Sequence, residues 1–563
     1  MPPTHPLPLS DRFLAGTPDE YVESLLTFSE DPFFRILCGG IHILDFYTRD
    51  SEDEPKDIYR TIMPQDWIDF FARQNINYIL DLLLRLPYSE FPTDIPETLD
   101  TYIRNVRDHT LQRDFIRRES SERAKKRVGF GTEWALNAGM RPKKIHEVEF
   151  FAAYLDDLVR DIRTMDETEG GDGVSHVVDY GSGQAYLTRT LAKKYGHDSV
   201  GIESRPVNID GAKTLDKMFD SIADKKLRYK KRTSKEGEVV PDRPVFGTLQ
   251  YVQTYITDGS LDEVVEAIHD VHVQPAAKPT PAATAECEEC VVGTNPEDAD
   301  ALVKDTAALD INGTTGRTKP KSLLLTSLHS CGNLVHHALT AFRTTPAVRA
   351  VALIGCCYNL LTEKSGATFK PPFLRAPHPR LITTATSDDP KGFPISSKLT
   401  EHKISFNITA RSMACQAPSN WTETSSAEFF LRHYYRALLQ RLLIDKGVIA
   451  ADCLEPLIIG SLPKQCYVSF YDYAVAALGK MKMLDQVEFS KEEAEEYVIR
   501  FETRRQELEV VWSLMAFSAG VVESVIVVDR WMYLREMGCK KAWVEAAFEH
   551  SESPRNFVVV GLR

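Results

Sequence analysis

The sequence predicts an α/β protein built on a mainly parallel, doubly wound sheet. From Val174 onward, short apolar strands alternate with amphipathic helices, the pattern of βαβ units. The first strand ends in an acid and runs straight into a glycine-bearing turn, Asp179-Tyr180-Gly181-Ser182-Gly183. The next strand ends in a second acid, Glu203. A strand, a tight turn, a helix and a second acid-ended strand form the outline of a nucleotide site.

Residues 1–147 are expected to be a helical N-terminal region, because apolar residues recur at helical spacing in Trp67–Phe71 and Tyr78–Leu84. Residues 145–164 read as an amphipathic helix with Val148, Phe151, Leu155, Leu158 and Ile162 on one stripe. Strands are expected at Ser175–Asp179, Ser199–Glu203, Leu249–Thr257, Lys321–Leu328 and Val348–Cys356. Helices fall between them at Leu187–Tyr195, 208–224, Leu261–His269 and Leu334–Phe342. Ala542–Phe548 and Asn556–Leu562 complete a set of seven strands, joined by a turn at Ser551–Pro554. The run Val521–Asp529 is ambiguous: its β-branched residues favour a strand, its continuity with the preceding helix favours helix, and helix is preferred.

Two stretches interrupt the alternation. Residues 272–320 are rich in Pro, Ala, Thr and acids and are expected to be a disordered insertion. Residues 360–515 are expected to be a large helical insertion after strand five. The expected organisation is therefore 1–147, a first part of the α/β domain at 148–271, the 272–320 insertion, strands four and five at 321–359, the 360–515 insertion, and a closing helix with a β-hairpin at 516–563.

The chain has 563 residues, of which 43% are hydrophobic and 26% charged, enough apolar material for a sizeable core. Its formal net charge of −14 argues against a general nucleic-acid coat, although a local basic face can still meet phosphate. Ten cysteines in so long a chain do not make a disulfide framework and read as reduced thiols of an intracellular protein. No secretory pattern and no uninterrupted apolar run of roughly 20 residues is visible, so a cytoplasmic or nuclear protein without a membrane span is expected.

The turn's chemistry separates two nucleotide classes. A dinucleotide site usually carries a third glycine three residues after Gly183, and Tyr186 stands there. A pyrophosphate at the turn would be repelled by Asp179. S-adenosylmethionine brings no phosphate but an ammonium and a sulfonium, which Asp179 attracts. Asp179, Gly181, Ser182 and Gly183 are therefore candidate cofactor residues, with Glu203 placed to accept both ribose hydroxyls. Asp258 is placed either to reach the adenine amino group or to cap a helix.

Strand four ends in Leu328-His329-Ser330-Cys331-Gly332, and strand five in Gly355-Cys356-Cys357-Tyr358-Asn359. Ligands of open α/β sheets sit outside the carboxyl ends of the strands, so both segments should face the site. His329 is a candidate base or substrate-positioning group. Tyr358 and Asn359 are candidate hydrogen-bonding groups on the substrate side, and all three equally suit loop capping. Lys143, Lys144, His146 and Glu147 open the helix before strand one, where a lysine or histidine either reaches substrate or flanks a solvated helix start. Cys356 and Cys357 suit core packing better than nucleophilic catalysis. Cys287-x-x-Cys290 has metal-like spacing without a second pair.

With these residues the chain resembles the methyltransferase-like protein 25 family, which is similar in turn to a wider set of Rossmann-like methyltransferases with His-x-Cys-Gly and Cys-Cys-Tyr motifs. The matching stretches are Met140–Val148, Asp179–Gly183, Leu328–Gly332, Gly355–Asn359, Gly392–Ser396, Ala410–Gln416, Asp529-Arg530 and Ser553–Asn556. Arg141 and Ile145 depart from the family's usual Ser and Gln. The resemblance implies a Rossmann-like seven-stranded methyltransferase sheet with S-adenosylmethionine as cofactor. It does not fix the acceptor. The Asn/Asp-Pro-Pro-aromatic loop of adenine-amino methylation is replaced here by His329-Ser-Cys-Gly. RNA is slightly preferred to protein as acceptor, on the basic runs Arg117–Arg127 and Lys225–Lys235 and on the wider resemblance. A non-catalytic, cofactor-binding scaffold remains the alternative.

Overall fold

The structure is a computed structural model describing residues 2–42, 46–47, 58–118, 124–125, 127, 132–169, 173–233, 245–256, 259–268, 321–364, 389–450 and 457–563. The expected insertion at 272–320, with Cys287 and Cys290, lies outside the described residues, as does Asp258.

The seven strands are β1 (His176–Tyr180), β2 (Ser199–Glu203), β3 (Leu249–Gln253), β4 (Leu323–Cys331), β5 (Val348–Cys357), β6 (Lys541–Ala546) and β7 (Phe557–Leu562). They form one sheet in the order β3-β2-β1-β4-β5-β7-β6. β1 to β5 run parallel, and β7 inserts antiparallel between β5 and β6. This is the Rossmann-like seven-stranded sheet that the sequence predicts. The strand order reverses between β1 and β4, which opens a crevice beyond their carboxyl ends.

The strands read as near-continuous apolar runs because both faces are covered. On β4, Leu323 and Leu325 face one core, while Leu324 and Leu328 face the other. The second core is closed by the helix Pro142–Glu169, whose Val148, Phe151, Leu155, Leu158 and Ile162 are buried as the stripe predicts. The first core joins the sheet to the N-terminal helices, among them α1 (Pro18–Glu30), α2 (Ile76–Leu84) and α3 (Glu97–His109). A capping box between Thr17 and Glu20 fixes the start of α1. That long helix is α4 (Pro142–Glu169), and the helices between and after the first strands are α5 (Tyr186–Thr190), α6 (Pro206–Thr233), α7 (Asp262–Ala267) and α8 (Leu334–Thr344).

Beyond β5 come α9 (Ile408–Met413), α10 (Glu423–Asp445), α11 (Phe470–Met481) and α12 (Lys491–Glu536). The 46-residue α12 touches α1, α2, α3, α10, α11, β6 and β7. It runs unbroken through 515, so the boundary expected at 515/516 falls inside one element. Val521–Asp529 is helical within it. One 18-residue window of α12 is apolar enough to cross a membrane, with mean hydropathy 1.9, yet 89% of that window is buried inside the protein. Packing on several sides, not a lipid phase, accounts for its composition.

Three expectations need adjustment. β3 is shorter than expected and ends at Gln253. β4 runs on to Cys331, because register shifts at Leu328/Ser330 and Ser330/Cys331 carry the pairing past its apolar part. The helix expected over Leu187–Tyr195 closes as a π-helical turn at Leu191–Tyr195.

Candidate functional site: an acid-bearing turn beside a thiol cluster

The turn after β1 is held by backbone. Gly181 and Ser182 both donate their N–H to the Ile202 carbonyl on β2, at 3.0 and 2.8 Å. Gly181 (φ +80°) and Gly183 (φ +56°) occupy the left-handed region, where a side chain is strained. A Cβ on Gly181 would meet Leu334, whereas nothing lies within 4 Å of one on Gly183. The space above Gly183 is open to a ligand.

Glu203 closes the turn from the neighbouring strand. One oxygen accepts the Gly183 N–H at 2.9 Å and the other the Arg205 N–H at 2.8 Å. The oxygen that accepts from Gly183 keeps a further lone-pair site for a ribose hydroxyl, while the other also accepts the Ser204 hydroxyl at 3.4 Å. Asp179 is 3% exposed, and one of its oxygens accepts the Thr188 hydroxyl at 2.7 Å. Burial pushes its carboxyl up to about 6, against the pull of Thr188 and Lys144. A cation at this place would restore its charge. Ser182 Oγ is buried without a hydrogen-bond partner, beside Gly201.

On the substrate side the predicted residues separate. His329 adopts φ +72° at the end of β4 and meets Glu147 through Nε2 at 2.6 Å. Glu147 also accepts from Ser553 Oγ at 2.7 Å and lies 3.6 Å from Lys144 Nζ. Its burial is overcome by His329, Ser553 and Lys144, and its carboxyl is held down at about 2. Desolvation lowers Lys144, against the raising influence of Glu147 and Asp179. The start of α4 thus brings Lys144 within electrostatic reach of both Glu147 and Asp179. His146 does not reach in: its Nε2 accepts the Glu549 N–H at 3.2 Å.

Tyr358 is not a group of the open crevice. The Tyr358 hydroxyl is buried and donates to Glu523 at 2.8 Å, and that carboxylate also pairs with Arg113 and Arg555. Asn359 Oδ1 accepts from Cys415 Sγ at 3.5 Å. The polar pattern at the end of β5 serves a buried network, which corrects the catalytic role expected for Tyr358.

Residues that sequence reasoning undervalued fill the gap. Cys331 Sγ lies 3.5 Å from Cys356 Sγ and 3.2 Å from Cys357 Sγ, and those two lie 3.3 Å apart. Hydrogen bonds from its two neighbours lower the Cys331 thiol, while Cys356 and Cys357 are raised. The signal was present in the His-x-Cys-Gly and Cys-Cys-Tyr motifs, which end adjacent parallel strands.

The other matching stretches form the scaffold behind these tips. Asp529 accepts the N–H groups of Ile395 and Ser396 and the Ser396 hydroxyl. Arg555 donates to the carbonyls of Ala414 and Gln416. Arg530 occupies the space that a Cβ on Gly355 would take. A cavity of about 1160 Å³ lies elsewhere, between the N-terminal helices and α12, with Arg107, Gln416 and His550 in its walls.

The sheet order, the acid-bearing turn at its reversal point and the acid closing β2 define a methyltransferase-domain protein, and residues 143–364 match the family model described as "Methyltransferase domain". The chain is similar to proteins named methyltransferase-like protein 25. It is 25% identical over 485 residues to the mouse protein called "Probable methyltransferase-like protein 25", covering 75% of each chain. To the human protein of that name it is 23% identical over 488 residues, again covering 75% of each. No solved structure is significantly similar to the chain.

Proposed function

We propose that the protein is an S-adenosylmethionine-dependent methyltransferase. The observation that carries this reading is the pair of acids around an open glycine turn: buried Asp179 on one side and Glu203 on the other. Asp179 would hold the cofactor's ammonium, Glu203 its ribose hydroxyls, and the Gly181–Gly183 backbone would lie against its chain. When bound, S-adenosylmethionine supplies an electrophilic methyl on a sulfonium. The protein's own contribution is to hold the acceptor beside it, where proximity accounts for much of the rate. His329, held by Glu147 through Nε2, would take or orient an acceptor proton.

In the basic run at 117–127, three described arginines are engaged within the protein. Arg118 pairs with Asp157 and Glu545, Arg117 lies over the Phe150 ring, and Arg127 donates to the Val245 and Tyr195 carbonyls. The described part of the second run, Lys225–Thr233, forms the end of α6. Tritiated methyl transfer from S-adenosylmethionine to RNA and protein fractions of cells lacking the protein tests the reading. Label entering one fraction, and lost with His329→Ala, is expected. Cofactor binding with no transfer to any fraction favours a scaffold.

A further inference from the structure

The thiol cluster at the ends of β4 and β5 has no role in packing that its geometry explains. Successive residues of a strand point to opposite faces, so Cys356 and Cys357 should diverge. Both reach Cys331 instead. β5 ends at Cys357 (φ −108°, ψ 77°), and β4 carries register shifts around Ser330 beside a left-handed His329. A non-glycine residue at positive φ costs stability and persists where the surroundings impose it. The chain thus bears local strain in the segment that brings three sulfurs together. Thiols are weak donors and acceptors, so their mutual contacts offer little in return.

We infer that Cys331, Cys356 and Cys357 bind one Zn²⁺ through three thiolates, leaving its fourth coordination position open at the crevice. Among the described residues, these are the one cluster of thiols, imidazoles or carboxylates with ligand atoms close enough to share an ion. Zinc accepts sulfur at about 2.3 Å, and tetrahedral angles then set sulfurs roughly 3.8 Å apart. The observed separations of 3.2, 3.3 and 3.5 Å need only a few tenths of an ångström of spreading. An ion about 2.3 Å from all three would stand roughly 1.3 Å off their plane. Soft thiolates select zinc over magnesium or calcium.

The fourth position is argued from what surrounds the cluster. Among the described residues, no fourth thiol, imidazole or carboxylate has a ligand atom within 4.8 Å of all three sulfurs. Cys331 is exposed. Three protein ligands with a fourth site for water or substrate is the arrangement of zinc centres that take part in reactions, whereas four protein ligands mark structural ones. A soft donor on an incoming molecule, a thiol above all, is the chemical class that such a centre would hold. The inference does not depend on how the methyl cofactor binds.

The full chain, purified under reducing, chelator-free conditions, tests it by metal analysis. About one zinc per chain is expected, falling at least fivefold in Cys331→Ser and in Cys356→Ser/Cys357→Ser, while Cys287→Ser/Cys290→Ser retains it. Circular dichroism of the exposed-site variant Cys331→Ser distinguishes lost metal from lost fold. In the Co²⁺-substituted protein, thiolate-to-metal charge-transfer absorption is expected, with visible bands that shift when a small monothiol is added. Wild-type protein that takes up no zinc on reconstitution, zinc unchanged in the Cys331 variant, or a disulfide within the cluster overturns the site. Visible bands indifferent to the thiol overturn its open position.

Discussion

Asp179 is a carboxylate kept where its charge is poorly solvated, and that cost is informative. Its folded-state value of about 6 stands above the ordinary 3.8, so ionising it opposes folding. The sign follows: stability without cofactor declines as pH rises from the ordinary value through about 6, by ~3 kcal/mol in total. Asp179→Asn should therefore raise the denaturation midpoint at pH 7 while weakening cofactor binding, and chemical denaturation beside calorimetry measures both. S-adenosylmethionine affinity should itself fall as pH drops through about 6 and protonates the acid. The turn was legible in the sequence because its parts are local: two glycines, an acid before them and an acid 20 residues on. Glu147 was read only as part of a charged helix start. Its partner His329 is 182 residues away, and no local pattern pairs them. Tyr358 was legible as polar, but a sequence does not say that its hydroxyl is spent on a buried carboxylate.

Among the elements, β4 shows where pattern reading stops. Its apolar run to Leu328 was legible, and its last three residues were not, because their pairing depends on a bulge against β5. Gly332 ends this segment at φ +56°, and a Cβ there would lie 2.6 Å from the Leu360 carbonyl oxygen. Gly332→Ala should cost ~2–4 kcal/mol, from left-handed strain plus a backbone clash that no rotamer relieves. Urea denaturation measures the loss, and a change within 0.5 kcal/mol would refute the role given to this glycine. α12 shows the converse difficulty. Its β-branched stretch Val521–Val528 suits a strand by propensity, and tertiary packing on several sides overrides that preference.

Across the whole molecule, Glu523 ties distant parts of the chain together. It accepts from Arg113 next to the N-terminal helices, Arg555 before β7 and Tyr358 after β5. Burial alone would raise this carboxyl, but Arg113 and Arg555 outweigh burial and hold it below its ordinary value. Its contribution is therefore present above about pH 4.5 and is lost as pH falls below that. Glu523→Ala leaves two buried or half-buried guanidinium groups without their counter-charge. It should cost ~3–5 kcal/mol, visible as a lowered thermal midpoint. Arg555→Met removes one cation with less disruption and should cost less. None of this network was legible from spacing, since Glu523 and its partner Arg113 lie 410 residues apart. The matching stretches include Tyr358 and Arg555 without saying what they touch, and include neither Glu523 nor Arg113.

The account rests on a cationic, phosphate-free nucleoside fitting between Asp179 and Glu203. Isothermal titration of the full chain with S-adenosylmethionine, set beside NADH and the Glu203→Ala variant, tests it most directly. Saturable binding of S-adenosylmethionine, none of NADH, and a roughly 10- to 100-fold loss in Glu203→Ala are expected from hydrogen bonds to a charged group. Tight NADH binding, or S-adenosylmethionine held equally well by Glu203→Ala and Asp179→Asn, would contradict the assignment of the crevice.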